Sequence, residues 1–362
     1  MARLVKVAGH LRRYLLLYVF LAIAIAMPIG YYHAGFFKAH KGLVKDAILF
    51  LAIGTLLPSM IQLRAGKMGR EARSKWKETV VALIVIFLVA PAMAMLFAGH
   101  IGNRLIGIGY VAANSVPASS ASVAYVMLAE GNIELATVLV ILSVLIALFA
   151  APLYIGLFAQ SVHVNLPLTQ LAKSVTIALL VPLILGQLIR YFLVTRRARE
   201  LARDPSAKLS CRSAVDGEGE IVECLENKIS SSIKPILSTW TMVFMLILIS
   251  LLIANKAGLL ISKPGLAAYI ITAQLGIYAT VIACLLVASL ILKIRYRDHM
   301  AMAFISLTKN ESVAAAIAVL AIGSTAAVPA ALIPAVQPIV AILYVSASPL
   351  IKRLLGDAGV AG

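Results

Sequence analysis

About ten stretches of this chain stay apolar for 18 residues or more, long enough for a helix to cross a bilayer, and nothing else constrains the fold so tightly. They fall at roughly 14–32, 46–63, 79–98, 105–128, 133–158, 170–194, 236–255, 266–292, 299–322 and 328–350. Backbone polar groups in lipid must find partners within their own segment, so helices are the expected spans. The expected class is an all-α integral membrane protein. Composition agrees: 62% of the residues are hydrophobic and 13% charged, more apolar side chain than a water-exposed surface can hide.

The net charge of +17 is unevenly placed. Of 32 Lys and Arg, 23 lie in 1–13, 64–78, 195–235, 293–298 and the tail after 351, seven lie in the alternate stretches, and Arg190 and Lys309 lie within spans. That bias predicts both termini in the cytoplasm of a multi-pass plasma-membrane protein. It also accounts for the basic charge without a nucleic-acid partner; the partners expected are the lipid bilayer and a small-molecule solute. Arg190, near an inner boundary, is expected to snorkel. Arg12 and Arg13 before "YLLLYVFLAIAIA" resemble a signal peptide, with Ala22, Ala24 and Ala26 mimicking a cleavage site. The run is long, and its removal would leave an odd number of spans, so a retained first helix is expected. Cys284 lies in a span and reads as packing. Cys211 and Cys224 flank "VDGEGEIVE" in a long polar loop, where a reducing cytosol argues against a disulfide, except as found in hyperthermophiles. With no His nearby they are a weak metal signal.

The polar loop at 195–235 divides the spans five and five. It separates a first repeat (1–194) from the remainder of a second (236–362), which starts at about 170. An odd number of helices per half means that the two copies are inverted in the membrane. The fourth span of each half is unusual: "NSVPASSASVAYVMLAEGN" (114–132) and "SLTKNESVAAAIAVLAIGS" (306–324). Both change from polar to small and apolar, contain Ser-Val-Ala (Ser122, Ser312), and finish in Leu-Ala-x-Gly at Gly131 and Gly323. Pro117 read alone is a helix kink. The matching polar interruption in the other half makes an unwound binding site the better reading, since broken backbone in a bilayer survives only buried in protein or lining a cavity.

Lys309 and Glu311 are two apart, so on a regular helix they face different ways. A charge at mid-span costs about 3 kcal/mol on insertion scales, so each needs another partner, water or its neutral form. If the chain unwinds near Asn310, one half-helix begins near Ser312 and its counterpart near Ser119. Two such N-termini plus an ammonium favour an anion, whereas serine hydroxyls, an amide and a carboxylate favour a cation or proton. The substrate- or ion-binding candidates are therefore Asn114, Ser115, Ser119, Ser120, Ser122, Thr308, Lys309, Asn310, Glu311 and Ser312, with Pro117 as the helix break. Gln274 and Gln337 read as outer support or inter-helix glue. No metalloprotease, Walker or Ser/His/Asp pattern occurs in the spans, so no enzyme and no cofactor are expected. Any pumping would draw on an ion gradient, with Na+ or H+ as the coupling ion.

These features resemble the bile acid:sodium symporter superfamily, including its arsenite-efflux branch. "LAIGTLLPSMIQL" (51–63) looks like the family's second helix, "VPASSASVAYVMLAEGN" its first crossing helix, and "KNESVAAAIAV" (309–319) its second. The resemblance implies ten transmembrane helices as two inverted five-helix repeats, with two broken helices crossing at the site. Departures are specific. Val123 stands where the sodium-coupled branch has an asparagine, Ile305 where it has a sodium-liganding glutamate, and Lys309 where it has a glutamine. Glu311 supplies that carboxylate only if the register shifts. An ammonium in that place points to proton coupling or a fixed surrogate cation. Ala118 replaces the reactive cysteine of the arsenite branch. The resemblance thus implies a secondary active transporter, working by alternating access, of a small organic anion or an oxyanion. The alternatives are an arsenite or metalloid efflux permease without the usual cysteine, a passive channel, or a membrane-embedded enzyme.

Overall fold

The structure, a computed structural model, describes residues 9–11, 14–62, 73–119, 121–204, 211 and 218–356. In chain order α1 (Leu15–Tyr32), α2 (Lys41–Gln62) and α3 (Trp76–Ala98) precede a split pair, α4 (Arg104–Ser115) and α5 (Ser122–Leu128). Next come α6 (Ile133–Ser161), α7 (Leu168–Leu201), α8 (Glu218–Ser262) and α9 (Pro264–Ile291). A second split pair, α10 (Tyr296–Leu307) and α11 (Glu311–Ala321), precedes α12 (Val328–Ser346) and the short α13 (Ser348–Leu355). Among the described residues eight helices are long and apolar enough to cross a membrane: α1, α2, α3, α6, α7, α8, α9 and α12. The other two apolar stretches are the split pairs, each broken where polar residues interrupt the run.

Local chemistry sets several ends. Asn103 caps α4, its Oδ1 accepting from the Leu105 and Ile106 amides at 3.1 and 3.2 Å. Asn132 caps α6 through the Leu135 amide at 3.1 Å. A capping side chain satisfies amides that have no partner inside the helix. The half-helices α5 and α11 close alike: the Gly131 amide reaches back to Val126 O, and the Gly323 amide to Ala318 O, both at 2.8 Å. The shared Leu-Ala-x-Gly thus has one mechanical role twice.

Packing sorts the helices. α8 lies along α1 and α2, and α2 along α7; α3, α4, α6, α9, α10 and α12 pack around the two interruptions, while α11 meets α2, α7, α12 and α4. Close crossings are made by glycine. A Cβ on Gly30 would collide with the backbone of Ala254 on α8, and one on Gly109 with the backbone at Ala326. Where lipid is as apolar as the side chains, such close approach is a main source of helix association.

Four expectations need correction. The stretch 195–235 is helical at both ends, because α7 runs on to Leu201 and α8 begins at Glu218. Polar sequence outside a bilayer still propagates a helix once the apolar part has nucleated it. Cys211 and Cys224 are joined by a disulfide, packed with Ala198 and Leu225; the two helical extensions bring the sulfurs together. Arg190 does not snorkel: it is buried, ion-paired to Glu226 at 3.2 Å and hydrogen-bonded to Ile61 O at 3.3 Å. The half-helix expected to start near Ser119 starts at Ser122, whose amide donates to Ser119 O at 3.1 Å.

Candidate functional site

The two interruptions cross and pair with each other. Pro117 has no amide hydrogen and disfavours helix at the residue before it, and Val116 is extended (φ −76°, ψ 162°). On the other strand Thr308 is also extended (φ −104°, ψ 104°). The Ser119 amide donates to Thr308 O at 2.9 Å and the Asn310 amide to Pro117 O at 3.0 Å, so Ala118 and Lys309 form an antiparallel bridge. The amides facing outward are also met. That of Ala118 donates to Ser143 Oγ of α6 and that of Lys309 to Gln337 Oε1 of α12, both at 3.1 Å. Two unwound segments remain possible away from water because each takes over the other's lost hydrogen bonds.

Lys309 is only 3% exposed, and its ammonium donates to Ile86 O at 3.0 Å and lies 5.5 Å from the Phe87 ring centroid. That carbonyl is open for a local reason. Residues Val85–Val89 of α3 form a π-helical turn in which the Ala90 amide bonds back to Val85 O, and Pro91 has no amide hydrogen to offer Ile86. The freed acceptor and the buried cation satisfy each other.

Glu311, at the start of α11, is 8% exposed. Neither carboxylate oxygen has a hydrogen-bond partner, and the buried hydroxyl of Tyr110 on α4 is likewise unpartnered. Lys309, Tyr110 and Tyr278 all interact with Glu311 electrostatically. Beside them Asn114 and Gln274 exchange two amide hydrogen bonds, each 3.1 Å, and Asn114 also donates to Tyr110 O at 3.1 Å. Asn114→Leu is expected to destabilise the protein by about 1–3 kcal/mol, since the buried Gln274 amide then loses both of its bonds to Asn114. Adding Gln274→Leu should recover part of the loss, and thermal unfolding of the two single changes and the double change would show it.

The remaining candidates divide. Ser115 donates to Val111 O at 2.8 Å and Thr308 to Phe304 O at 2.7 Å, while Ser122 donates to Ser119 O; these hydroxyls are held by backbone. Ser119 Oγ accepts from the Ala121 amide at 3.2 Å. Ser312 is buried in the first turn of α11, and Ser120 lies outside the described residues. The structure therefore gathers Asn114, Thr308, Lys309, Asn310, Glu311 and Ser312 with Gln274 and Gln337. Sequence reasoning missed Ile86 O, Ser143, Tyr110 and Tyr278. Pro91 inside an apolar run and a single serine in the middle of the 29-residue α6 were the available signals.

A second polar cluster ties the C-terminal end of α5 to the start of α10. Asp298 is ion-paired with Lys75 at 2.6 Å and accepts from Asn132 Nδ2 at 2.8 Å. The Asn132 amide donates to Arg297 O at 2.8 Å and the Tyr296 hydroxyl to Ala129 O at 2.7 Å. One split pair is thereby fastened to the other at a second point besides their crossing.

The sequence profile of the Sodium Bile acid symporter family matches residues 47–263. A curated relative in Arabidopsis thaliana, described as "Probable sodium/metabolite cotransporter BASS4, chloroplastic", is 30% identical over 178 residues. That match covers 47% of this chain and 40% of the relative's length.

Proposed function

The chain belongs to the Sodium Bile acid symporter family, and from that premise we propose that it is a secondary active transporter whose solute binds where the two interrupted helices cross. The solute is a small organic anion or an oxyanion, moved by alternating access and driven by a sodium or proton gradient. The observation that carries this reading is the backbone bridge between Ala118 and Lys309, with a buried ammonium beside it. Fixed positive charge and unpaired polar groups in a low-dielectric interior favour an anion over a neutral solute.

The two split pairs also have matching surroundings. Each has its outward amide met by a side chain of the next helix, Ser143 on α6 and Gln337 on α12. This supports two inverted five-helix repeats, with the split pairs as the fourth span of each and ten spans in all. In that arrangement the first repeat ends near residue 194, the second starts at about 170, and the segment 195–235 lies between them on the cytoplasmic side with both termini. The bilayer is the plasma membrane. Ala118, buried and bonded to Ser143, offers no thiolate for arsenite, so the organic-anion reading takes precedence over metalloid efflux.

Counterflow tests the proposal. Proteoliposomes loaded with unlabelled taurocholate or succinate are expected to take up the labelled solute transiently, above its equilibrium level, in the absence of any ion gradient. A channel equilibrates the label without overshoot; overshoot for neither solute would contradict a carrier of organic anions.

A further inference from the structure

We propose that Glu311 carries the coupling proton of this transporter, while Lys309 is a resident cation that stays in the protein throughout the cycle. The proposal rests on the transporter reading and assigns the coupling ion at that same site. A carboxylate buried without a hydrogen-bond donor is strongly destabilised unless it is neutralised, and both Glu311 oxygens are in that position. Lys309 supplies counter-charge but makes its hydrogen bond to Ile86 O instead. That tether fixes the ammonium to α3, while no hydrogen bond holds the Glu311 carboxyl.

Charge balance then sets the order of events. With no solute bound, Lys309 and Glu311 cancel. A monoanion entering the crossing adds one negative charge to an interior where uncompensated charge is costly. A proton taken from the bulk onto one Glu311 oxygen restores neutrality, and leaves again when the solute departs on the other face. No covalent bond of the solute changes.

The ionisable groups around Glu311 can be named element by element. The break contributes Lys309, α4 contributes Tyr110, and α9 contributes Tyr278. Among the other helices packed on α11, α2 carries Lys41, Lys45 and Asp46 in its first turns, and α7 carries Lys173 and Arg190, the latter paired with Glu226, followed in its extension by Tyr191, Arg196, Arg197, Arg199 and Glu200. α12 carries Tyr344, which is bonded to His299 at 2.7 Å.

The test uses the full chain in proteoliposomes, with labelled taurocholate, a monoanion, as the probe. In sodium-free buffer an inward proton gradient is expected to drive wild-type accumulation, and uptake should fall by up to about tenfold per pH unit on its alkaline side, as for one titrating group. Glu311→Gln should abolish gradient-driven accumulation and leave any residual counterflow independent of pH. A second readout needs no variant: adding solute to purified wild type in weakly buffered detergent should make it take up about one proton per solute bound. Accumulation that requires sodium and ignores pH, a Glu311→Gln protein that still accumulates solute under a proton gradient, or solute binding without proton uptake would each overturn the assignment. A wild type with no counterflow defeats the transporter reading itself, a different result from any of these.

Discussion

Lys309→Met is expected to abolish solute transport while leaving an inserted, folded protein. Methionine keeps much of the lysine stem, so the packing against Phe87 survives and the charge is what is lost. Truncating a buried, hydrogen-bonded charge that meets a ligand costs about 2–5 kcal/mol of binding, which is roughly 30-fold to several-thousand-fold. The effect on stability should be smaller. Ile86 O loses its donor, at about 1–3 kcal/mol, and Glu311 escapes most of its penalty by taking a proton. Initial uptake rates at equal protein incorporation, with size-exclusion profiles in detergent, separate the two effects. Uptake within twofold of wild type would remove Lys309 from the mechanism.

The largest structural effect is expected at Gly109. Its added methyl would meet the backbone of Ala326, and backbone cannot rotate aside as a side chain can. Gly109→Ala should therefore push α4 away from the turn before α12 and destabilise the protein by about 3 kcal/mol, the upper part of the range for overpacking. Gly258→Ala is the matched control. No atom lies within 4 Å of a Cβ there, so the change should be neutral or stabilising by up to about 1 kcal/mol, the helix-propensity gain. Thermal midpoints in one detergent compare them directly; equal midpoints would show that the close crossing is not under strain.

Much of the architecture was legible because its cause is one-dimensional. An apolar run of bilayer length must be a helix whatever surrounds it, and Pro117 and the Lys309–Glu311 interruption mark where helix is most expensive to maintain. The crossing itself was legible through the family resemblance, which implies two broken helices meeting at the site. What stayed hidden depends on three-dimensional pairing. Ile86 O becomes an acceptor only because a π turn and Pro91 together withhold its donor, and its partner lies 223 residues away. Tyr110 and Tyr278 look like ordinary packing until Glu311 is placed beside them. The Cys211–Cys224 disulfide and the burial of Arg190 were misjudged for one reason: both follow from α7 and α8 continuing past the apolar runs, where hydropathy gives no signal. The hydroxyls of Ser115, Ser122 and Thr308 each donate to a carbonyl three or four residues earlier, a pairing that residue type alone does not display.

The central claim is that the crossing opens to each face of the membrane in turn. Ser119→Cys places a thiol at the break, with Cys284 changed to Ala and the Cys211–Cys224 disulfide left intact. Its reaction with an impermeant maleimide, applied to one face and then the other, reads that claim directly. The account predicts labelling from both faces, slowed on both by a transported solute. Labelling from one face alone, at a rate that no solute alters, would contradict it.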